Sequence, residues 1–246
     1  MPFVKRLSQL EKKLQVKSPI VLSNCRVFFD FDNTMTVSDV LYNVIRRFSI
    51  DKHWMMLEKA WLAGEIGTKE CLFGQLKNVR ISKAKLFDYL QKVKLDPHFH
   101  QLYTLLVQEG INPVILSDNF TCIIDKILEY QGIHGIKAYG NTLKFYRGRI
   151  MPSFPYDNPF CPSCAHCKKI HLTKDKTENK LIVYVGDGRS DLCPARVSDI
   201  VFAKDSLIKY LEKEAIDYIP YKDLGDVYRY FQEAITRGRH ATKIGG

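Results

Sequence analysis

The segment Arg26-Val27-Phe28-Phe29-Asp30-Phe31-Asp32-Asn33-Thr34 is a short, aromatic-rich apolar run that ends in two carboxylates. Such a run suits a buried central strand whose C-terminal tip carries chemistry. Asp30 and Asp32 are separated by one residue, so regular strand geometry places both on one face and turns Phe31 into the opposite layer. Two carboxylates at one mouth repel each other and call for a cation. An Asp-x-Asp pair alone more often caps the next helix, so its weight depends on the rest of the chain.

Beyond Asp32 the apolar period changes. Val40, Leu41, Val44, Ile45 and Phe48 follow helical spacing, with Ser38 as the N-cap candidate and Asp39 in the first turn. Further helices are expected at 52–63, 68–79 with Thr68 as cap, and 82–94 with Ser82 as cap. Nothing between 37 and 95 reads as a strand, so residues 38–96 form a helical insertion. Pro97 can open another helix that stops near Gly110. From there strands and helices alternate: strand 112–117, helix 120–130, strand 136–139, a hairpin over 143–150 that could act as a flap, and a loop over 151–163 with four prolines. A helix near 165–173 precedes Leu181-Ile182-Val183-Tyr184-Val185, the clearest buried strand, which runs into Gly186-Asp187-Gly188. A helix at 190–196, strand 199–203, helix 206–214, a short strand near 217 and a helix from 223 complete the pattern.

Strands separated by helices predict an α/β fold: a Rossmann-like three-layer α/β/α core with a parallel sheet, from residues 1–37 and 97–246, and a helical cap inserted after the first strand. The hairpin flap and Cys-rich loop, 141–167, belong to that core. In such sheets ligands bind outside the carboxyl ends of the strands. Asp30 and Asp32, Ser117, and Asp187 fall at three such ends.

The 246 residues are 46% hydrophobic and 26% charged, the balance of a soluble globular chain and not of a disordered one. The N-terminus lacks the apolar stretch of a secretory signal, and no segment approaches the roughly 18 apolar residues of a membrane span. A cytoplasmic setting without membrane attachment is therefore expected. The formal charge of +10 fits anionic partners, but Lys and Arg are scattered among acids, which speaks against dedicated nucleic-acid binding.

Asp30-Phe31-Asp32-Asn33-Thr34, Ser117 after an apolar strand, a Lys near 168, and Gly186-Asp187-Gly188-Arg189-Ser190-Asp191 resemble, in order and spacing, the four motifs of the haloacid dehalogenase superfamily. The helical insertion resembles the C1-type cap of its phosphoserine phosphatase-like branch. Gly64-Glu65-Ile66, the Cys-rich approach to the Lys, and Phe202-Ala203-Lys204-Asp205 look like the methylthiopentenyl phosphate phosphatases of methionine salvage. Ser117-Asp118-Asn119 and Tyr184-Val185-Gly186-Asp187-Gly188 look like the phosphocholine and phosphoethanolamine phosphatases.

The resemblance implies a phosphohydrolase acting on a small phosphorylated metabolite. Asp30 would be the nucleophile that forms an aspartyl phosphate, and Asp32 the acid and base. Mg²⁺ would be held by Asp30, the Asp32 carbonyl and Asp187, with Asp191 orienting a ligand or a water. Ser117, Lys168, Asp118 and Gly188 would bind phosphate, Lys169 being a rival to Lys168. Asn33 stands where a Gly is common. Phosphotransfer on the same scaffold, and a zinc-organised nucleic-acid-binding module without catalysis, are alternatives. Arg46, His53, Trp54, Lys59 and Trp61 of the insertion could face substrate, but surface or core places suit them as well.

Cys161-Pro162-Ser163-Cys164-Ala165-His166-Cys167 packs three thiols and an imidazole beside Lys168. Cys161, Cys164, Cys167 and His171 could form a structural zinc site, although the second Cys-x-x-Cys usual for such sites is missing. A redox cluster and plain loop cysteines are the other readings. Cys25, Cys71, Cys122 and Cys193 read as small buried hydrophobes.

Overall fold

A computed structural model describes residues 25–160, 164–176 and 180–244. In chain order it contains β1 (Cys25–Phe29), α1 (Val40–Phe48), α2 (His53–Ala63), α3 (Thr68–Leu76), α4 (Lys83–Leu90), α5 (Phe99–Gln108), β2 (Val114–Phe120), α6 (Thr121–Tyr130), β3 (Lys137–Tyr146) and β4 (Arg149–Ser153). Then come α7 (Lys169–Lys176), β5 (Leu181–Gly186), a 3₁₀ turn (Arg189–Asp191), α8 (Leu192–Ala195), β6 (Ile200–Ala203), α9 (Asp205–Lys213), β7 (Ile219–Pro220) and α10 (Leu224–Ile244).

The strands form one seven-stranded sheet in the order β4-β3-β2-β1-β5-β6-β7. All pairings are parallel except β3 with β4. Val27 and Phe29 enter the larger core cluster and Phe28 a second one, so β1 is buried on both faces. That explains its unbroken apolar run, since each such side chain contributes roughly 1.5–3 kcal/mol when buried. The expected three-layer α/β core is the observed one. Among the described residues no helix is long and apolar enough to cross a membrane.

Helices α1 to α4 interrupt the alternation as one insertion. Its entering and leaving segments are paired: Val37 N donates to Lys94 O at 3.1 Å and Asp96 N to Met35 O at 2.7 Å. Local details differ from expectation. Asp39, not Ser38, caps α1, its carboxylate accepting from Tyr42 N at 2.7 Å. Ser82 caps α4 as expected, but Gly67 precedes α3 and Thr68 is its first residue, with its hydroxyl accepting from Trp61 Nε1 at 3.0 Å. The expected strand at 136–139 and the hairpin are continuous: β3 runs through both, then turns at Arg147 and Gly148, whose φ values of 47° and 73° suit a tight hairpin.

Candidate active site

Strand β1 has β2 on one side and β5 on the other, so the chain reverses direction across the sheet at β1. This is the topological switch point, where a crevice opens beyond the strand ends. Asp30 extends β1 past its last residue, its N–H donating to Val185 O of β5 at 2.9 Å. Asn33 takes a φ of 53°, the left-handed region that Asn tolerates better than most side chains. The residue standing in place of the usual Gly therefore still makes the turn.

Lys168 comes to this crevice and exposed Lys169 does not. The Lys168 ammonium, 1% exposed, donates to Asp30 Oδ1 at 2.6 Å, Asp191 Oδ1 at 2.7 Å and Ser190 Oγ at 3.2 Å. Asp191 is fully buried and heavily used: Tyr184 Oη also donates to Oδ1 at 2.6 Å, while Asp187 N and Gly188 N donate to Oδ2 at 2.9 and 3.0 Å. A Cβ on Gly186 would lie 2.6 Å from that carboxylate, so the close approach requires glycine. Asp187 Oδ1 accepts from Thr34 Oγ1 at 3.0 Å.

Four acids around one ammonium leave an excess of negative charge. Burial pushes the Asp187 carboxyl up to about 8, with Asp191 and Asp30 adding to it against Thr34 and Lys168. Burial and Asp191 likewise raise Asp30 well above the carboxylate range, against Lys168. Burial alone would lower the Lys168 ammonium, but Asp191, Asp30 and Asp118 together hold it above its ordinary value. Oxygens of Asp30, Asp187 and Asp191 lie within 4.8 Å of one another. With Asp191 spent on donors, Asp30 and Asp187 are the oxygens suited to a hard divalent cation such as Mg²⁺.

Asp32 lines the same crevice but has other partners. Its Oδ1 accepts from Val40 N at 2.7 Å, at the start of α1, and Oδ2 from Asn119 Nδ2 at 2.9 Å. Burial and Asp39 nevertheless push it up to about 8. Beyond it opens a cavity of about 320 Å³ between the strand ends and the insertion, which contributes Asp39, Tyr42, Glu58, Trp61 and Gln75. Among the cavity-lining residues Arg189 is the sole cation, beside the acids Asp30, Asp32, Asp39, Glu58, Asp118 and Asp187.

The other sequence candidates also gather here, with different partners. Ser117 Oγ accepts from Asn119 N at 3.0 Å, which leaves its proton for donation into the crevice. Asp118 Oδ1 accepts from His166 N at 2.8 Å, so this carboxylate fastens the Cys-rich loop. Gly188 lines the cavity, but its N–H is committed to Asp191. Of the insertion residues, Trp61 reaches the cavity lining, whereas Arg46, His53, Trp54 and Lys59 do not.

The zinc expectation is not met among the described residues. Cys161 lies outside them, and Cys164, Cys167 and His171 do not converge as a metal-holding group. His171 Nε2 is engaged by His166 Nε2 at 2.8 Å, and Cys167 Sγ by Asn158 Nδ2 at 3.9 Å. His166 Nδ1 bonds Ser117 O at 2.9 Å, and burial drives its imidazole down to about 3. A neutral His166 donates from Nδ1, so its Nε2 accepts the His171 proton. Tyr156 stacks on His166 and Tyr139 lies against His171, and these ring contacts pack the residues just before and after Lys168. Cys193, read as a small buried hydrophobe, is only half-buried, and a hydrogen bond with Cys164, together with Arg196 and Lys169, draws it down to about 6 against burial.

Residues 25–208, the span that carries β1, β2, Lys168 and β5 around this crevice, match the model of a family, Put_Phosphatase, described as "Putative Phosphatase". The chain belongs to this family. It is a haloacid dehalogenase-type phosphatase. A bifunctional enzyme MtnB/MtnX of Bacillus licheniformis is 25% identical over 213 residues, covering 84% of this chain and 49% of that protein, so the chain spans about half of its length. The 2-hydroxy-3-keto-5-methylthiopentenyl-1-phosphate phosphatase of Brevibacillus brevis is 24% identical over 212 residues, covering 84% of this chain and 95% of that enzyme. A solved phospho-aspartyl intermediate analogue of phosphoserine phosphatase superposes with a TM-score of 0.65 at 18% identity, over 84% of this chain and 98% of that one.

Proposed function

We propose that this phosphatase is a Mg²⁺-dependent hydrolase of a small phosphomonoester and works through a phosphorylated Asp30. The observation that carries the reading is the Lys168 ammonium shared between Asp30 and Asp191 beside Asp187, at the switch point of the sheet. Lys168 holds one Asp30 oxygen and leaves the other to attack phosphorus. Mg²⁺, held by Asp30, the Asp32 carbonyl and Asp187, would supply the positive charge that lets a phosphate dianion approach a carboxylate.

As the Asp30–phosphorus bond forms, the bond to the leaving oxygen breaks and Asp32 gives that oxygen its proton. An Asp32 with its pKa raised to about 8 still carries that proton at neutral pH. The resulting Asp32 carboxylate then takes a proton from water, whose oxygen attacks the phosphorus and frees Asp30 and phosphate. Ser117 and Lys168 hold the non-bridging oxygens. Residues 38–96 act as a cap that keeps bulk water away.

The leaving-group wall narrows the substrate. Asp39 and Glu58 of the cap face the cavity beside Tyr42 and Trp61. An acidic, aromatic wall favours a leaving alcohol that carries an ammonium group, through ion pairing and cation–π contact. Phosphoserine has such a group and a methylthiopentenyl phosphate does not, so amine-bearing phosphomonoesters fit this cap better.

Hydrolysis of a generic aryl phosphate with and without Mg²⁺, beside Asp30→Asn, tests the reading. Activity that survives the substitution or needs no divalent ion contradicts it, and transfer to an added alcohol without release of phosphate would favour phosphotransfer. For the substrate class, Glu58→Gln should raise KM about tenfold for an amine-bearing ester and leave a neutral ester unchanged.

A further inference from the structure

Arg189 opens the 3₁₀ turn that follows Asp187-Gly188, and its side chain leaves the sheet for the inserted helices. Nη1 donates to Trp61 O, 128 residues away, at 2.6 Å. Trp61 lies in the last turn of α2, which Gly64 ends with a φ of 78°. A Cβ added at Gly64 would sit 3.4 Å from Arg189 Nη2, so the guanidinium lies directly against this helix end. The C-terminus of a helix gathers partial negative charge, and a cation there is favourable. Among the described residues Arg189 forms no ion pair, so the helix end is its bonded partner.

The position matters because Arg189 adjoins Gly188 and Ser190. Ser190 receives a bond from Lys168, and Gly188 N–H is held by Asp191. On the other side, Trp61 Nε1 donates to Thr68 Oγ1 at 3.0 Å and so joins α2 to α3, both of which line the cavity. Another polar tie from the insertion to the acidic loops is Val40 N to Asp32 Oδ1, near the paired hinge segments, while Ile81 N to Gly148 O and Lys69 to Asp157 join the insertion to the β3–β4 hairpin and the loop after it. The ties at Trp61 and Val40 stand on different helices of the insertion.

We propose that Arg189 is a positioning residue that latches the inserted helices over the crevice, coupling their closure to the loop that presents Asp187. The inference rests on the phosphatase reading above. It extends that reading by naming a contact that holds the lid against the Asp187 loop. A small substrate that does not fill the cavity needs the lid to complete its site, whereas a bulky aryl ester reacts with the lid ajar. Loss of a charge-assisted bond should therefore penalise the first and spare the second.

The test compares wild type, Arg189→Ala and Arg189→Lys on O-phosphoethanolamine and on 4-nitrophenyl phosphate, with hydrogen exchange measured over 53–76 and 187–191. Arg189→Ala should lower kcat/KM about tenfold to a hundredfold on the small ester, change the aryl ester less than about threefold, and speed exchange in both segments. Arg189→Lys, which can still reach a helix carbonyl, should recover part of both effects. Equal loss on the two esters with unchanged exchange in α2 and α3 would place Arg189 at the phosphate and overturn the latch, as would no loss on either. If wild type hydrolyses neither ester, the small-phosphomonoester reading of its substrate fails separately, and exchange over 53–76 alone decides the latch: unchanged rates in Arg189→Ala refute it.

Discussion

Asp30 and Asp32 share a strand tip, yet their partners divide them. Asp30 meets an ammonium, while Asp32 meets an amide and a backbone N–H next to a second acid, Asp39. With Asp32 raised to about 8, the proton needed by the leaving group is present below that pH and lost above it. The rate profile of kcat/KM should accordingly fall above pH 8, and Asp32→Asn should lower kcat by about 10²–10⁴; a profile flat to pH 9.5 contradicts this assignment. The same raised group means that the folded chain binds more protons than the unfolded one between its unfolded value and about 8. Its contribution to stability is thus greatest at low pH and declines as pH rises through that window. Lys168 acts through its partners: Lys168→Met strands Asp30 and Asp191 without a cation and should cost about 3–5 kcal/mol in a thermal melt. At this scale the sequence was informative where chemistry is local. Asp30-x-Asp32 and Gly186-Asp187-Gly188 carry their signal within a few residues. Thr34 on Asp187, Asn119 on Asp32 and Arg189 on Trp61 are contacts over 153, 87 and 128 residues, which no local pattern encodes.

Each strand end offers something different: β1 its two acids, β2 Ser117 and Asn119, β5 Asp187. Strands β1, β2, β5 and β6 were legible because burial on both faces demands continuous apolar runs. The cap helices were legible from their spacing, but α1's N-cap was assigned one residue early. Ser38 and Asp39 are both good caps, and only the fold decides which carboxylate or hydroxyl meets Tyr42 N. The acidic wall of the cavity was missed altogether, since Glu58 on a helix surface looks like any solvated acid until α1, α2 and α3 are brought together. The β5 tip makes a packing prediction. Gly186→Ala pushes a methyl into the Asp191 carboxylate, so it should destabilise the chain by about 1–3 kcal/mol and dislodge Lys168, with turnover falling alongside the melting temperature. Unchanged turnover would show that Asp191 has room to move.

Across the whole molecule, a chain of formal charge +10 carries its acids inward at one crevice. The positive balance raises the encounter rate of phosphorylated anions, while the acids of the crevice suit a divalent cation. Metal binding must displace protons from Asp187, raised to about 8, so Mg²⁺ affinity should strengthen as pH rises from 6 to 8. Melting scans with Mg²⁺ at a hundredfold its Kd should show about 2.7 kcal/mol of stabilisation, abolished in Asp187→Asn. The central claim is that the phosphoryl group passes through Asp30. Acid quenching during turnover, borohydride reduction and peptide mass analysis test it most directly. An acyl phosphate at Asp30 will be read as homoserine at position 30, and only in the presence of substrate and Mg²⁺. Full turnover with Asp30 unreduced, or homoserine at another acid, would contradict the account.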